Sequence, residues 1–209
     1  MNMRIYQLGE EGGESLRKIA RNLTVKEIKS AKIRQLVEDM KVTMRTAPGV
    51  GLAAPQIGES LQIIVIEDNA ARQNIFKPEI LKERDRNLVN FHVMFNPELT
   101  QVTYDPLYFF EGCLSVKSCA RITPRVEKVR VNYLDEEGQP QQVEAKGWYA
   151  RILQHEVDHL HGRLYVDIAD ECTEVSLGGT SGSPWMNATK AEIMEYYHKC
   201  MAVSKKHKE

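Results

Sequence analysis

The chain has 209 residues, long enough for one well-buried core and too short for two ordinary domains. Apolar residues make up 42% and charged residues 27%, and 28 Lys plus Arg nearly cancel 29 Asp plus Glu. This balance fits a globular protein and argues against a general polyanion binder. No apolar run approaches the roughly 20 residues of a membrane-spanning helix. The N-terminal stretch, with Glu10, Glu11 and Glu14, lacks the apolar core of a secretory signal and is too acidic for a typical transit peptide. Cys113, Cys119, Cys172 and Cys200 show no paired spacing, so a reducing cytosol or an organelle matrix is expected.

In chain order, Thr24 and Glu27 have capping-box spacing. Ile28, Leu36, Met40 and Met44 recur on one face, predicting one helix over residues 25–44 that ends before Pro48-Gly49. The β-branched run 61–66 predicts a buried strand. Residues 67–90 are polar, with Pro78 among many charges, and are expected to form a surface insertion. Residues 91–95 predict another strand, closed by Asn96-Pro97. Two strands, 129–134 and 142–145, flank Asp135-Glu136-Glu137-Gly138 as a hairpin. A helix over 148–161 should stop at Gly162. Residues 177–184 are rich in Gly and Ser. A last helix is expected over 188–203, before Lys205, Lys206 and Lys208. The expectation is α+β: a single domain spanning 1–209 in which a central helix packs on small mixed or antiparallel sheets. Residues 168–209 form a C-terminal extension.

Within the second long helix stands Gln154-His155-Glu156-Val157-Asp158-His159. Histidines at i and i+4 share one helical face, so both imidazoles can hold one metal ion with Glu156 beside its open position. Leu153, Val157 and Leu160 form a stripe that would bury the helix and set the site in a recess. A hydrolytic centre needs a third ligand from elsewhere, and Glu171 and Glu174 are candidates on residue type alone.

Two more blocks accompany this helix: Gly49-Val50-Gly51-Leu52-Ala53-Ala54-Pro55-Gln56 and Glu111-Gly112-Cys113-Leu114-Ser115-Val116. In order and spacing the three blocks, spanning residues 45–167, resemble those of peptide deformylases. The resemblance implies hydrolysis of the N-formyl group from formyl-methionine at the start of nascent chains. It makes Cys113 the third ligand with His155 and His159 to one divalent metal ion, Fe(II) by preference, with zinc, nickel or cobalt as substitutes. A thiolate suits these metals, since binding itself keeps the sulfur deprotonated. Glu156 would move protons, while the Gln56 amide and the Leu114 backbone N–H would face the oxyanion. Gly51 reads either as a turn glycine or as the point where substrate backbone comes close. Val50, Phe109, Trp148 and Ile152 match the family's methionine pocket, although each also fits an ordinary core position. Glu111 and Arg125 match an ion pair behind the metal-ligand loop.

The resemblance also implies partners and place. Formyl-methionyl nascent peptides are the expected substrates, with a transient ribosome contact and no specific nucleic acid or membrane. The expected location is bacterial cytoplasm, or alternatively an organelle matrix. The sequence departs from the family at Lys117, where a proline is usual, and at His161. It also departs in the shortened motif Gly13-Glu14-Ser15-Leu16-Arg17, in the 67–90 insertion and in the C-terminal extension.

Overall fold

The computed structural model describes residues 1–177 and 184–206. Its helices are α1 (Val25–Ile28), α2 (Ala31–Thr46), α3 (Ala70–Gln73), α4 (Pro78–Glu83), α5 (Gly147–Leu160) and α6 (Lys190–Lys206). Its strands are β1 (Gly51–Ala53), β2 (Ile63–Asp68), β3 (Val89–Gln101), β4 (Pro106–Cys113), β5 (Val116–Val126), β6 (Lys128–Leu134), β7 (Pro140–Lys146) and β8 (Val175–Ser176). One sheet runs β1-β2-β3-β6-β7 and the other β4-β5-β8, with every pairing antiparallel. This is the expected α+β architecture.

Alternation along β2 sandwiches the larger sheet between two layers. Ile63 and Val65 join Val37, Met40 and Met44 of α2, while Ile64 and Ile66 join Ile152, Leu153, Val157 and Leu160 of α5. Successive strand side chains point to opposite faces, so one short β-branched run anchors both layers. Gly162 ends the α5 segment at φ 69°, where an added Cβ would meet the Arg17 carbonyl at 2.7 Å.

Three local expectations change. The helix expected over 25–44 is two helices. Thr24 and Glu27 do form a capping box, but extended Ser30 then interrupts the helix. Its hydroxyl donates to the Glu27 carbonyl (2.6 Å) and accepts from the Ile33 N–H (3.3 Å). A second cap thus restarts the helix, because serine's short polar side chain competes with the helical ladder.

Strand β3 does not stop at Asn96-Pro97. It passes through a bulge whose register shifts between Phe95 and Glu98. There Asn96, at φ 49°, accepts from the Leu23 N–H and donates to the Leu23 carbonyl, both at 2.8 Å. A bulge tolerates proline because one ladder donor is dispensable there.

Residues 67–90 are partly built into the body. Glu67 and Asp68 complete β2, Ile80 is buried on α4, and Arg86 grips Asp68 at 2.8 and 3.1 Å with both side chains buried. Arg84 donates to the carbonyls of Trp185 and Ala188, tying this segment to the C-terminal region. Helix α6 buries Ile193 against Phe109 and Ile122. Residues 178–183 of the Gly/Ser-rich stretch, and Lys208, lie outside the described residues. Among the described residues no helix is long and apolar enough to cross a membrane.

Candidate metal centre and active site

Helix α5 carries His155 and His159 one turn apart, ring centroids 5.0 Å from each other. The end of β4 brings Cys113 to them, with Sγ 3.3 Å from His159 Nε2. Donor atoms of the three side chains lie within 4.8 Å of one another. The two carboxylates left open by residue type do not join them: Glu174 pairs with Arg121 at 2.7 Å, and Glu171 is exposed.

The donor set fits a divalent metal. Glu111 Oε2 lies 3.1 Å from His155 Nδ1, which leaves Nε2 as that ring's free ligand atom. A carboxylate behind a histidine is how metal-binding imidazoles are usually oriented. The Cys113 sulfur accepts from the Ser115 N–H at 3.4 Å and faces the Gln56 amide nitrogen at 3.6 Å. Two imidazoles and one thiolate suit a borderline-soft divalent ion with a position left for water.

Behind this trio lies a buried charge network. Arg125 forks onto Glu111 at 3.1 and 3.0 Å and reaches Asp158 at 2.5 Å. Arg151 donates to Glu111 at 2.6 Å and to the Thr123 and Leu107 carbonyls. Burial alone would raise the Glu111 carboxyl, but the two arginines overwhelm it and hold the group well below the usual carboxylate range. Sequence reasoning found Glu111 and Arg125 and missed Arg151 and Asp158. The signal was available in spacing: Arg151 stands four residues before His155, hence on its helical face, and Asp158 lies inside the motif.

Glu156 is 4% exposed and its Oε2 has no partner among the described residues. Burial pushes its carboxyl up to about 7. Gly51 of β1 faces it so closely that an added Cβ would sit 2.2 Å from Glu156 Oε1. Gln56, on the turn after β1, has its Oε1 fixed by the Ala53 N–H at 2.8 Å. Its amide nitrogen therefore turns toward Ser115 Oγ (3.2 Å) and Cys113 Sγ.

These groups open onto a cleft of about 320 Å³, lined by Val50, Gly51, Trp148, Ile152, Leu114 and Phe110 among others. Phe109 stands one layer behind. It is 4% exposed, packs with Ile122 and Ile193, and meets Trp148 edge-on at 6.1 Å. Along a strand, neighbouring side chains face opposite ways, and it is Phe110 that lines the cleft. Lys117 and His161 stand off the Cys/His/His trio, whereas Leu177 of the C-terminal extension lines the cleft. Lys117 pairs with Glu10 on the exposed surface, and the His161 ring lies against the Val157 carbonyl.

Comparison with known proteins agrees with this geometry. The family model described as polypeptide deformylase matches residues 3–175. The chain belongs to that family. It is 36% identical over 192 residues to a peptide deformylase of Symbiobacterium thermophilum, covering 92% of this chain and 78% of that one. It is 44% identical over 156 residues to the chloroplastic peptide deformylase 1A of Solanum lycopersicum, covering 75% of this chain and 56% of that protein. The chain thus spans little more than half the length of such plant relatives, 56% for tomato and 58% for Arabidopsis thaliana. Among solved deformylases, the Met-Ala-Ser-bound class I type b enzyme of Acinetobacter baumannii superposes with a TM-score of 0.70 at 33% identity, covering 80% of this chain and 98% of that one. The Legionella pneumophila deformylase gives 0.65 at 30% identity, covering 99% and 98%.

Proposed function

We propose that this chain hydrolyses the N-formyl group from the terminal formyl-methionine of nascent polypeptides, releasing formate. The observation that carries the reading is Glu156: a buried carboxylate, its Oε2 without a partner among the described residues, in a cleft beside a Cys/His/His trio that can hold a metal. Cys113, His155 and His159 would hold a divalent metal, which would supply the Lewis acidity for making water nucleophilic near neutral pH. Glu156 takes a proton from the attacking water, and its buried carboxyl can hold it until the C–N bond breaks. It then passes that proton to the departing amine. The Gln56 amide, already turned inward, and the Leu114 N–H face the oxygen that gains charge on the formyl carbon. Val50, Trp148, Ile152 and Phe110 offer an apolar slot for the methionine thioether, and Gly51 leaves room for substrate backbone.

Fe(II) is the metal we assign to the living cell, with Zn, Ni or Co as substitutes. A related deformylase holds Met-Ala-Ser, a peptide that begins with methionine. We place the protein in bacterial cytoplasm or an organelle matrix, where chains start with formyl-methionine, with transient contact to the ribosome. The test is formate release from formyl-Met-Ala-Ser by the metal-loaded protein. Cleavage of internal peptide bonds without formate release would mark a metallopeptidase and overturn the reading.

A further inference from the structure

The peptide unit joining Leu114 to Ser115 is bonded at both ends. Its N–H, from Ser115, donates to Cys113 Sγ at 3.4 Å, and its carbonyl, from Leu114, accepts from Gln7 Nε2 at 2.9 Å. The acceptors near that amide, the Leu114 carbonyl and the Ile5 carbonyl at 3.5 Å, require the nitrogen to face them. Gln7 Oε1 is buried with no partner among the described residues. An unpaired buried acceptor destabilises the fold, so an amide at this position is accounted for by its donor end. Flanking backbone locks the same register: the Tyr6 N–H donates to the Gln56 carbonyl and the Leu8 N–H to the Ser115 carbonyl, both at 2.8 Å. Residues 6–8 therefore touch both segments that face the cleft, one carrying Gln56 and the other Cys113 and Leu114.

We propose that Gln7 is a positioning residue for the metal centre, acting on the Cys113 sulfur through the Leu114–Ser115 peptide unit. Donation to the carbonyl polarises the amide and strengthens its N–H bond to the sulfur, as hydrogen bonds in series do at low dielectric. That bond fixes the orientation of the thiolate and draws charge from it, which tunes the metal it holds. The same bond holds Leu114 at the cleft wall. The inference rests on Cys113 being a metal ligand, as in the function proposed above.

The test uses Co(II)-substituted protein, whose sulfur-to-metal charge-transfer band reports on the thiolate without any substrate. The wild-type protein should show the band and Cys113→Ala should lack it; a band that persists in Cys113→Ala removes the ligand reading itself. Gln7→Met keeps the length and loses the donor. It should shift the band and speed Co(II) loss to a chelator by about 3–10-fold, below the roughly 10–100-fold expected for a direct partner of a ligand. Gln7→Glu, which sets a carboxylate against two carbonyls, should act in the same direction and serves if Gln7→Met does not fold. Glu10→Gln breaks the exposed pair to Lys117 on the same segment but touches no atom of the 114–115 unit. It should leave band and release rate unchanged. An unmoved band and release rate in folded Gln7 variants would overturn the proposal, and so would an equal change in Glu10→Gln.

Discussion

Glu111 Oε2 lies 3.1 Å from His155 Nδ1, so a single buried carboxylate connects the arginine pair behind the site to an imidazole of the metal trio. Its two functions, balancing charge and aiming a ligand, should fail together. Glu111→Gln leaves Arg125 and Arg151 buried without their shared counter-charge, a loss of about 3–5 kcal/mol of stability. Metal affinity should fall by about 10–100-fold as His155 loses its orienting partner. Chemical denaturation and chelator competition measure the two effects. Wild-type metal retention in the variant would show that His155 is aimed by something else.

Binding and chemistry separate at adjacent residues. Glu156→Ala should retain metal and lose about 10²–10⁴-fold in kcat, the range for removing a general base. Cys113→Ala should lose metal first and activity as a consequence. Metal analysis beside formate release distinguishes them, and near-normal turnover of metal-loaded Glu156→Ala at neutral pH contradicts the assigned role.

Gly51→Ala probes the closest approach in the cleft. The new methyl would meet Glu156 Oε1 at 2.2 Å, so the carboxylate must swing aside or β1 must shift. A misplacement of about 1 Å at a reacting group can cost on the order of 10²-fold. We expect kcat to fall by roughly that factor, with metal content unchanged. A crystal structure of the variant with Glu156 unmoved, together with full activity, would refute this.

Acid stability carries a contribution from Glu67 and Arg45. Their hydrogen-bonded pair, at 2.7 and 2.6 Å, holds the Glu67 carboxyl below its usual value against the opposing effect of burial. A carboxyl lowered on folding stabilises fully above its unfolded value of about 4.3, and that stabilisation is lost as pH falls through the folded value. Arg45 is 48% exposed, so solvent screening keeps the effect below about 1 kcal/mol. Arg45→Met should lower Tm at pH 7 and flatten its decline below about pH 4. Parallel Tm-against-pH curves for variant and wild type would contradict this.

Metal identity should appear in oxygen sensitivity. Iron-loaded protein prepared anaerobically should lose formate-releasing activity in air, since both Fe(II) and the Cys113 sulfur are oxidisable. A nickel-loaded sample at matched occupancy should persist longer. Equal decay of the two would reject metal-linked oxidation while leaving the family assignment intact.

The helical spacing of His155, Glu156 and His159 was legible because two candidate ligands and a candidate base within one turn need only local geometry. The apolar, β-branched run over 61–66 likewise announced a buried strand, and its residues 63–66 lie in β2. Spacing left the third ligand open, because Cys113 stands 42 positions before His155 in the chain and only a β-hairpin and the docking of α5 bring them together. Resemblance supplied Cys113; the fold supplied the proximity. What tertiary structure alone decided was the surroundings: Ser30 restarting a helix, Arg86 burying its charge on Asp68, and Phe110 lining the cleft. It also placed Gln7 on the Leu114 carbonyl and Gly51 against Glu156. Each depends on which backbone groups, charges and faces meet across distant segments, and those meetings are settled by packing rather than by local periodicity.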